Sequence, residues 1–149
     1  MTWTRARAKL VGEQVYWISS SSRRGTPHAA PVWGIWIPDV FYFETAPNSV
    51  KGRNLGSNPA VVVHIKDGLD TVIVEGRATP ETKPSVLKTL LREYDRKYDY
   101  RPDWSDSRAQ VVFRVRPPLA HAWRAPRMHA NLVNFVFREE AASGRARTP

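Results

Sequence analysis

The densest chemistry in this sequence lies in one stretch, Phe41-Tyr42-Phe43-Glu44-Thr45-Ala46-Pro47-Asn48-Ser49-Val50-Lys51-Gly52-Arg53-Asn54-Leu55-Gly56-Ser57-Asn58-Pro59. An apolar run ends on the hydroxyl of Thr45, turns through Pro47 and Asn48, and enters a segment that begins with Ser49 and carries Lys51 and Arg53. Unpaired backbone amides at a helix start, a local positive dipole, two hydroxyls and two cations can together hold a phosphate. Each hydrogen bond to a charged partner contributes about 1.5–3 kcal/mol, so three or four would anchor a phosphorylated ligand from this end. The same spacing also describes a helix that Ser49 merely caps, with Lys51 and Arg53 on a solvated face. Spacing alone favours that plainer description.

Other chemistries find less support. The chain has no cysteine, which excludes disulfides, thiolate metal sites and a thiol nucleophile. His28, His64, His121 and His129 lack the spacing of a metal-ligand cluster, so no metal is expected. Nothing resembles a nucleophile elbow, a Walker loop or a Gly-x-Gly-x-x-Gly turn, and the run Ser19 to Ser22 lacks the flanking glycines of a catalytic serine motif. No acid, base or nucleophile is singled out as catalytic. A net charge of +9 implies an acidic partner: nucleic acid, a membrane surface or a multiply charged cofactor. The arginines and lysines are spread along the chain rather than gathered into a basic arm.

The elements that must position the Phe41–Pro59 stretch are mostly strands. Residues 4–14 read as a short helix or turn, and Val15 to Ser20 as a first strand. From Thr26 to Ile37 the residues Val32, Trp33, Ile35, Trp36 and Ile37 suggest one long strand that Pro27 and Pro31 confine to an edge or bulge. Val40 to Thr45 returns from the Pro38-Asp39 turn, and a short helix follows through Ser57. Ala60 to Lys66 and Thr71 to Thr79 flank the Asp67-Gly68 turn, with Gly76 marking a bulge. Apolar residues at three- and four-residue spacing predict a long helix from about Pro80 to Tyr98, with Pro80 in its first turn. Gln110 to Arg116 and Leu119 to Trp123 read as strands broken by Pro117-Pro118, and Val133 to Phe137 as the last. From about Glu139 the composition is that of a solvated, disordered tail.

Seven or eight short strands joined by tight turns favour an antiparallel sheet closed into a barrel. At 149 residues the chain fits one domain, residues 1–149. No apolar run approaches the roughly 20 residues that cross a bilayer, and Met1 to Lys9 lacks the apolar middle of a secretory signal. A cytoplasmic protein with no membrane contact is the expectation.

A resemblance sharpens the reading of the phosphate segment. Phe43, Thr45, Ser49, Lys51, Leu55, Asn58 and Pro59 are similar to the Phe-x-Thr strand end and Ser-x-Lys-x-x-x-Leu-x-x-Asn-Pro helix of the pyridoxamine 5′-phosphate oxidase-like family. His28 to Trp36 resembles that family's strand beneath the isoalloxazine ring. Val74-Glu75-Gly76-Arg77 resembles the paired strand that follows, and Pro118 to Trp123 the strand with a ring-contacting tryptophan. The resemblance implies a mainly β, antiparallel Greek-key split β-barrel of the FMN-binding type. It further implies that Thr45, Ser49 and Lys51 hold the phosphate and that Pro31, Val32 and Trp33 face the flavin. Trp123 would close the site from the other subunit of a homodimer with interfacial cofactor sites, and Thr71 falls at a polar flavin contact. Without the resemblance, barrel core is the commoner role for strand tryptophans such as Trp33, Trp36 and Trp123.

Two departures argue against true pyridoxamine phosphate oxidation. Val50 stands where the oxidases have an arginine, and 128–137 lacks their arginine and histidine pattern for the substrate. The form Lys51-Gly52-Arg53-Asn54-Leu55 is similar instead to the deazaflavin-dependent branch, so Arg53 and Asn54 join the candidate cofactor contacts. The implied cofactor is an 8-hydroxy-5-deazaflavin coenzyme or FMN, and the implied activity is hydride transfer to or from a small organic molecule. In such proteins the cofactor carries the chemistry. Arg124 or Arg127 would steer an anionic group of the substrate. The alternatives are a non-enzymatic binder of flavin, deazaflavin or haem, and, ranked last, a nucleic-acid binder, because the aromatic residues sit in apolar strands rather than among loop arginines.

Overall fold

The computed structural model describes residues 1–138. A helix α1 (Trp3–Gly12) precedes strands β1 (Tyr16–Ser21), β2 (Pro27–Val32), β3 (Ile35–Trp36) and β4 (Phe41–Thr45). Helix α2 (Val50–Ser57) leads to β5 (Ala60–Ile65) and β6 (Asp70–Pro80), then helix α3 (Pro84–Tyr98), β7 (Val111–Arg124), the short α4 (Met128–Asn131) and β8 (Val133–Val136). The eight strands form one antiparallel sheet in the order β2-β1-β5-β6-β7-β4-β3, with β8 also on β7. This curled sheet is the expected split β-barrel. Among the described residues, no helix is long and apolar enough to cross a membrane.

Alternation along the strands decides which side faces in. Tyr16 and Ile18 of β1, Val61, Val63 and Ile65 of β5, and Val72 and Val74 of β6 are buried at every second position. With Phe41, Phe43, Phe113 and Val115 they fill the barrel interior, and α1 plugs one side through Ala6 and Leu10. The opposite face of β3, β4 and β7 offers Ile35, Val40, Tyr42 and Val112, which α3 covers with Leu90 and Tyr94. β4 thus packs on both faces and holds the residues after it rigidly.

Several element boundaries differ from expectation. The segment expected as one strand over Thr26–Ile37 is two, β2 and β3, broken at Trp33-Gly34. There Gly34 turns against the Phe41 ring, and any Cβ would lie inside contact distance. The two strands expected on either side of Pro117-Pro118 are one, β7. On one side of these prolines β6 shifts register between Glu75 and Arg77; on the other, pairing passes from β4, ending at Val115, to β8, starting at Leu119. Neither neighbour therefore requires the amide that proline lacks. The helix expected from Pro80 begins instead at Pro84, because Pro80 still pairs with Phe113 and the Glu81 amide donates to the Val112 carbonyl at 2.8 Å. As expected, β2 with Pro27 and Pro31 lies at a sheet edge, and a bulge falls at Gly76. The expected tail from about Glu139 lies outside the described residues.

Candidate functional site

Ser49 sets the start of α2. Its hydroxyl accepts from the Gly52 amide at 3.1 Å, lies 2.9 Å from the Thr45 hydroxyl, and donates to the Ala46 carbonyl at 2.8 Å. Gly52 closes the turn, since a side chain there would overlap the Ala46 carbonyl oxygen and lie 2.9 Å from Pro47 Cα. The helix start is therefore pressed onto the end of β4. Among the described residues, the Val50 and Lys51 amides have no acceptor, and Lys51 has no carboxylate within 4.0 Å. The first turn of α2 thus carries two free amides, the positive end of a helix and a lysine with no carboxylate partner.

Of this group Lys51 lines a cleft of about 300 Å³, which brings it together with Pro31, Val32 and Trp33 from the end of β2, four of the residues singled out by sequence; Thr45 and Ser49 stand behind it and do not line the cleft. Three further lining residues, Glu44, Tyr94 and Tyr100, were not anticipated. Glu44 follows Phe43 on the outer face of β4, where the Tyr100 hydroxyl donates to one carboxylate oxygen at 2.8 Å and the Trp104 indole N–H to the other. Burial, and secondarily the bond to Glu44, pushes the Tyr100 hydroxyl up to about 12. At neutral pH this wall carries a neutral phenol. No local pattern could reveal it, because Tyr100 and Trp104 lie in an irregular segment and meet Glu44 only through the fold.

The cleft's other wall is built by α3. Trp33 is 47% exposed and stacks flat on Tyr98, with ring centroids 4.7 Å apart, while Tyr100 meets it edge-on at 5.7 Å. Trp36, by contrast, is core, 7% exposed.

The remaining candidates stand apart from the cleft. Asn54 is buried beneath α2 and donates to the Ser20 hydroxyl at 3.1 Å, tying the helix to β1. The Arg53 guanidinium turns back to the Asn48 carbonyl. Thr71 pairs with Trp123 at the end of the β6–β7 ladder remote from Thr45, which pairs with Val111. The 14-residue β7 separates these ends along a contour of roughly 45 Å. Arg124, beside Trp123, is held by Asp70 at 3.0 Å, and Arg127 is exposed before α4. Within one chain, Thr71, Trp123, Arg124 and Arg127 do not line the cleft.

The pyridoxamine 5′-phosphate oxidase family model matches residues 3–124, from the first helix to the end of β7. The chain belongs to that family. No curated protein matches its sequence. Among solved structures, this family member is similar to an F420 reductase, with 24% identity over 75% of this chain and 93% of that one and a TM-score of 0.58. It is also similar to General Stress Protein 26 from Bacillus anthracis, with 19% identity over 91% of this chain and 100% of that one and a TM-score of 0.67. A heme binding protein from Mycobacterium smegmatis gives a TM-score of 0.72 at 18% identity, over 88% of this chain but 56% of that one. At such identities the likeness establishes a shared fold.

Proposed function

We propose that this family member is a flavin- or deazaflavin-dependent oxidoreductase, working as a homodimer with a cofactor site between its subunits. The observation that carries the reading is that Lys51, on the first turn of α2 where two amides have no acceptor among the described residues, lines a cleft with Pro31, Val32 and Trp33. These groups fit a phosphorylated, flat heterocycle: the Lys51 ammonium and the helix-start amides for the phosphate, backbone and aromatic surface for the ring. When bound, a flavin or deazaflavin supplies the hydride chemistry. Lys51 neutralises the phosphate, and Thr45 orients Ser49, whose cap keeps the α2 amides facing outward. Trp33 and Tyr100 exclude water from the ring side, and Glu44 fixes the direction of the Tyr100 hydroxyl. The small organic substrate would enter from the open side.

The distance between the cleft and the Thr71–Trp123 end supports the dimer. A second copy in two-fold relation can bring its Trp123, Thr71, Arg124 and Arg127 to a cleft that one chain leaves open, as an isologous contact does. The F420 reductase neighbour supports the deazaflavin coenzyme as cofactor, and the family supports FMN. The likeness to a heme binding protein favours a second reading, a non-enzymatic carrier.

Absorbance titration with FMN and with the deazaflavin coenzyme, followed by turnover with a panel of hydride donors and acceptors, tests the proposal. Saturable binding with turnover is the expected result. Binding without turnover would favour the carrier, and no binding of either cofactor would overturn both readings.

A further inference from the structure

A second group of cations lies on the outer face of β6 and β7. Arg77 and Arg116 are direct cross-strand partners, and Thr79 pairs with Arg114 in the next exposed register. Like charges placed directly opposite on one sheet face repel, an arrangement that is costly unless something neutralises it. Among the described residues, neither Arg77 nor Arg116 has a carboxylate within 4.0 Å. Of the nearby acids, Asp39 pairs with Arg7 at 3.1 Å, and buried Glu81 accepts from the Lys83 amide and lies 4.0 Å from Arg114, leaving Arg77 and Arg116 without a carboxylate partner among the described residues.

The two arginines border two concave sites. One, of about 190 Å³, is also lined by Tyr42, Thr79 and Arg114; its neighbour, of about 370 Å³, is walled by Pro117, Pro118 and Phe137, with Arg138 and the Arg7-paired Asp39 also lining it. In the first, Arg114 Nε donates to the Thr79 hydroxyl at 3.1 Å, which fixes the third guanidinium. The Tyr42 hydroxyl has no hydrogen-bond partner among the described residues and is available as a donor. Neither site shares a lining residue with the Lys51 cleft.

We infer that Arg77, Arg114 and Arg116, with Tyr42, form a binding site for a small oxyanion carrying two or more negative charges, a phosphate compound or a polycarboxylate. The planar guanidinium forks match either group in bidentate fashion, and an anion between Arg77 and Arg116 converts their repulsion into attraction. The site is separate from the proposed cofactor cleft and does not depend on that assignment.

The test is calorimetric titration of the full chain with pyrophosphate and with citrate, at ionic strength held constant with sodium chloride. Lys51→Ala serves as the reference chain, so that the cofactor cleft does not report. Saturable binding of pyrophosphate or citrate by Lys51→Ala, weakened at least about tenfold when Arg77→Gln and Arg116→Gln are added, is the expected result. The stronger of the two anions identifies the ligand class. Equal binding after the arginine substitutions, or no saturable binding of either anion by Lys51→Ala, would overturn the inference. A second measurement guards against a folding artefact: without anion, Arg77→Gln with Arg116→Gln unfolds at the same or a higher temperature than the parent chain. A lower unfolding temperature would show that the pair is structural and would contradict the argument from repulsion.

Discussion

The Tyr98 hydroxyl lies 3.0 Å from both the amide and the carbonyl of Gly34, accepting from one and donating to the other. Its single proton is shared with the Gln14 carbonyl at 2.9 Å, and the Lys97 ammonium reaches the same Gly34 carbonyl at 3.1 Å. The end of α3 therefore clamps the corner where β2 gives way to β3, and Trp33, next to that corner, is the cleft's aromatic wall.

Replacing Tyr98 by Phe keeps the ring beneath Trp33 and removes the hydroxyl. The part-buried Gly34 amide then loses its partner, and the chain should lose about 1–3 kcal/mol of stability. Urea unfolding checks the loss. Cofactor affinity should fall with it, because the position of Trp33 depends on Gly34; an unchanged unfolding midpoint would show that water replaces the hydroxyl.

Two glycines of α2 separate helix propensity from site geometry. Gly52→Ala drives a methyl group into the Ala46 carbonyl and should displace the helix start, lowering cofactor affinity by at least about tenfold. Gly56 is exposed in the same helix with no atom within 4 Å of an added Cβ, so Gly56→Ala should stabilise the chain by about 0.5–1 kcal/mol and leave affinity unchanged. Thermal unfolding and cofactor titration of the two variants side by side give the comparison.

Lys97 should give stability a rising pH dependence. Burial is the main reason its ammonium group is lowered to about 8, with Arg96 adding to the effect and Glu13 opposing it. The unfolded chain, with a lysine near 10.5, holds more protons than the folded one between those values, so stability from this group increases as pH rises through about 8. Above about 10 the effect reverses, because burial raises Tyr98 and Tyr100 to about 12 while unfolded tyrosines ionise first. Urea midpoints at about pH 7 and about pH 9.5 should therefore rise more for the parent chain than for Lys97→Met. Parallel profiles would contradict the assignment.

How much of this was legible in the sequence depends on how local the signal is. Thr45, Ser49, Lys51 and Gly52 lie within eight consecutive residues, and the strand end, cap and helix form as their types require. The edge position of β2 and the bulge at Gly76 follow from residues whose backbone chemistry permits little else. The continuity of β7 through Pro117-Pro118 could not be read, because it depends on two neighbouring strands changing at the same place. Pro80 and Pro84 are both plausible helix starts, and only the pairing of Pro80 with Phe113 separates them. The Glu44, Tyr100 and Trp104 wall, and the pairing of Arg77 with Arg116, likewise join residues that sequence spacing keeps apart.

The central claim, that the Lys51 corner holds a phosphate, is tested most directly by comparing FMN with riboflavin, which lacks the phosphate, on the parent chain and on Lys51→Ala. Fluorescence titration should show FMN binding at least about tenfold tighter than riboflavin to the parent chain. Lys51→Ala should weaken FMN by about tenfold to a hundredfold and leave riboflavin unchanged. Equal affinities for the two flavins, or an FMN affinity indifferent to Lys51, would contradict the account.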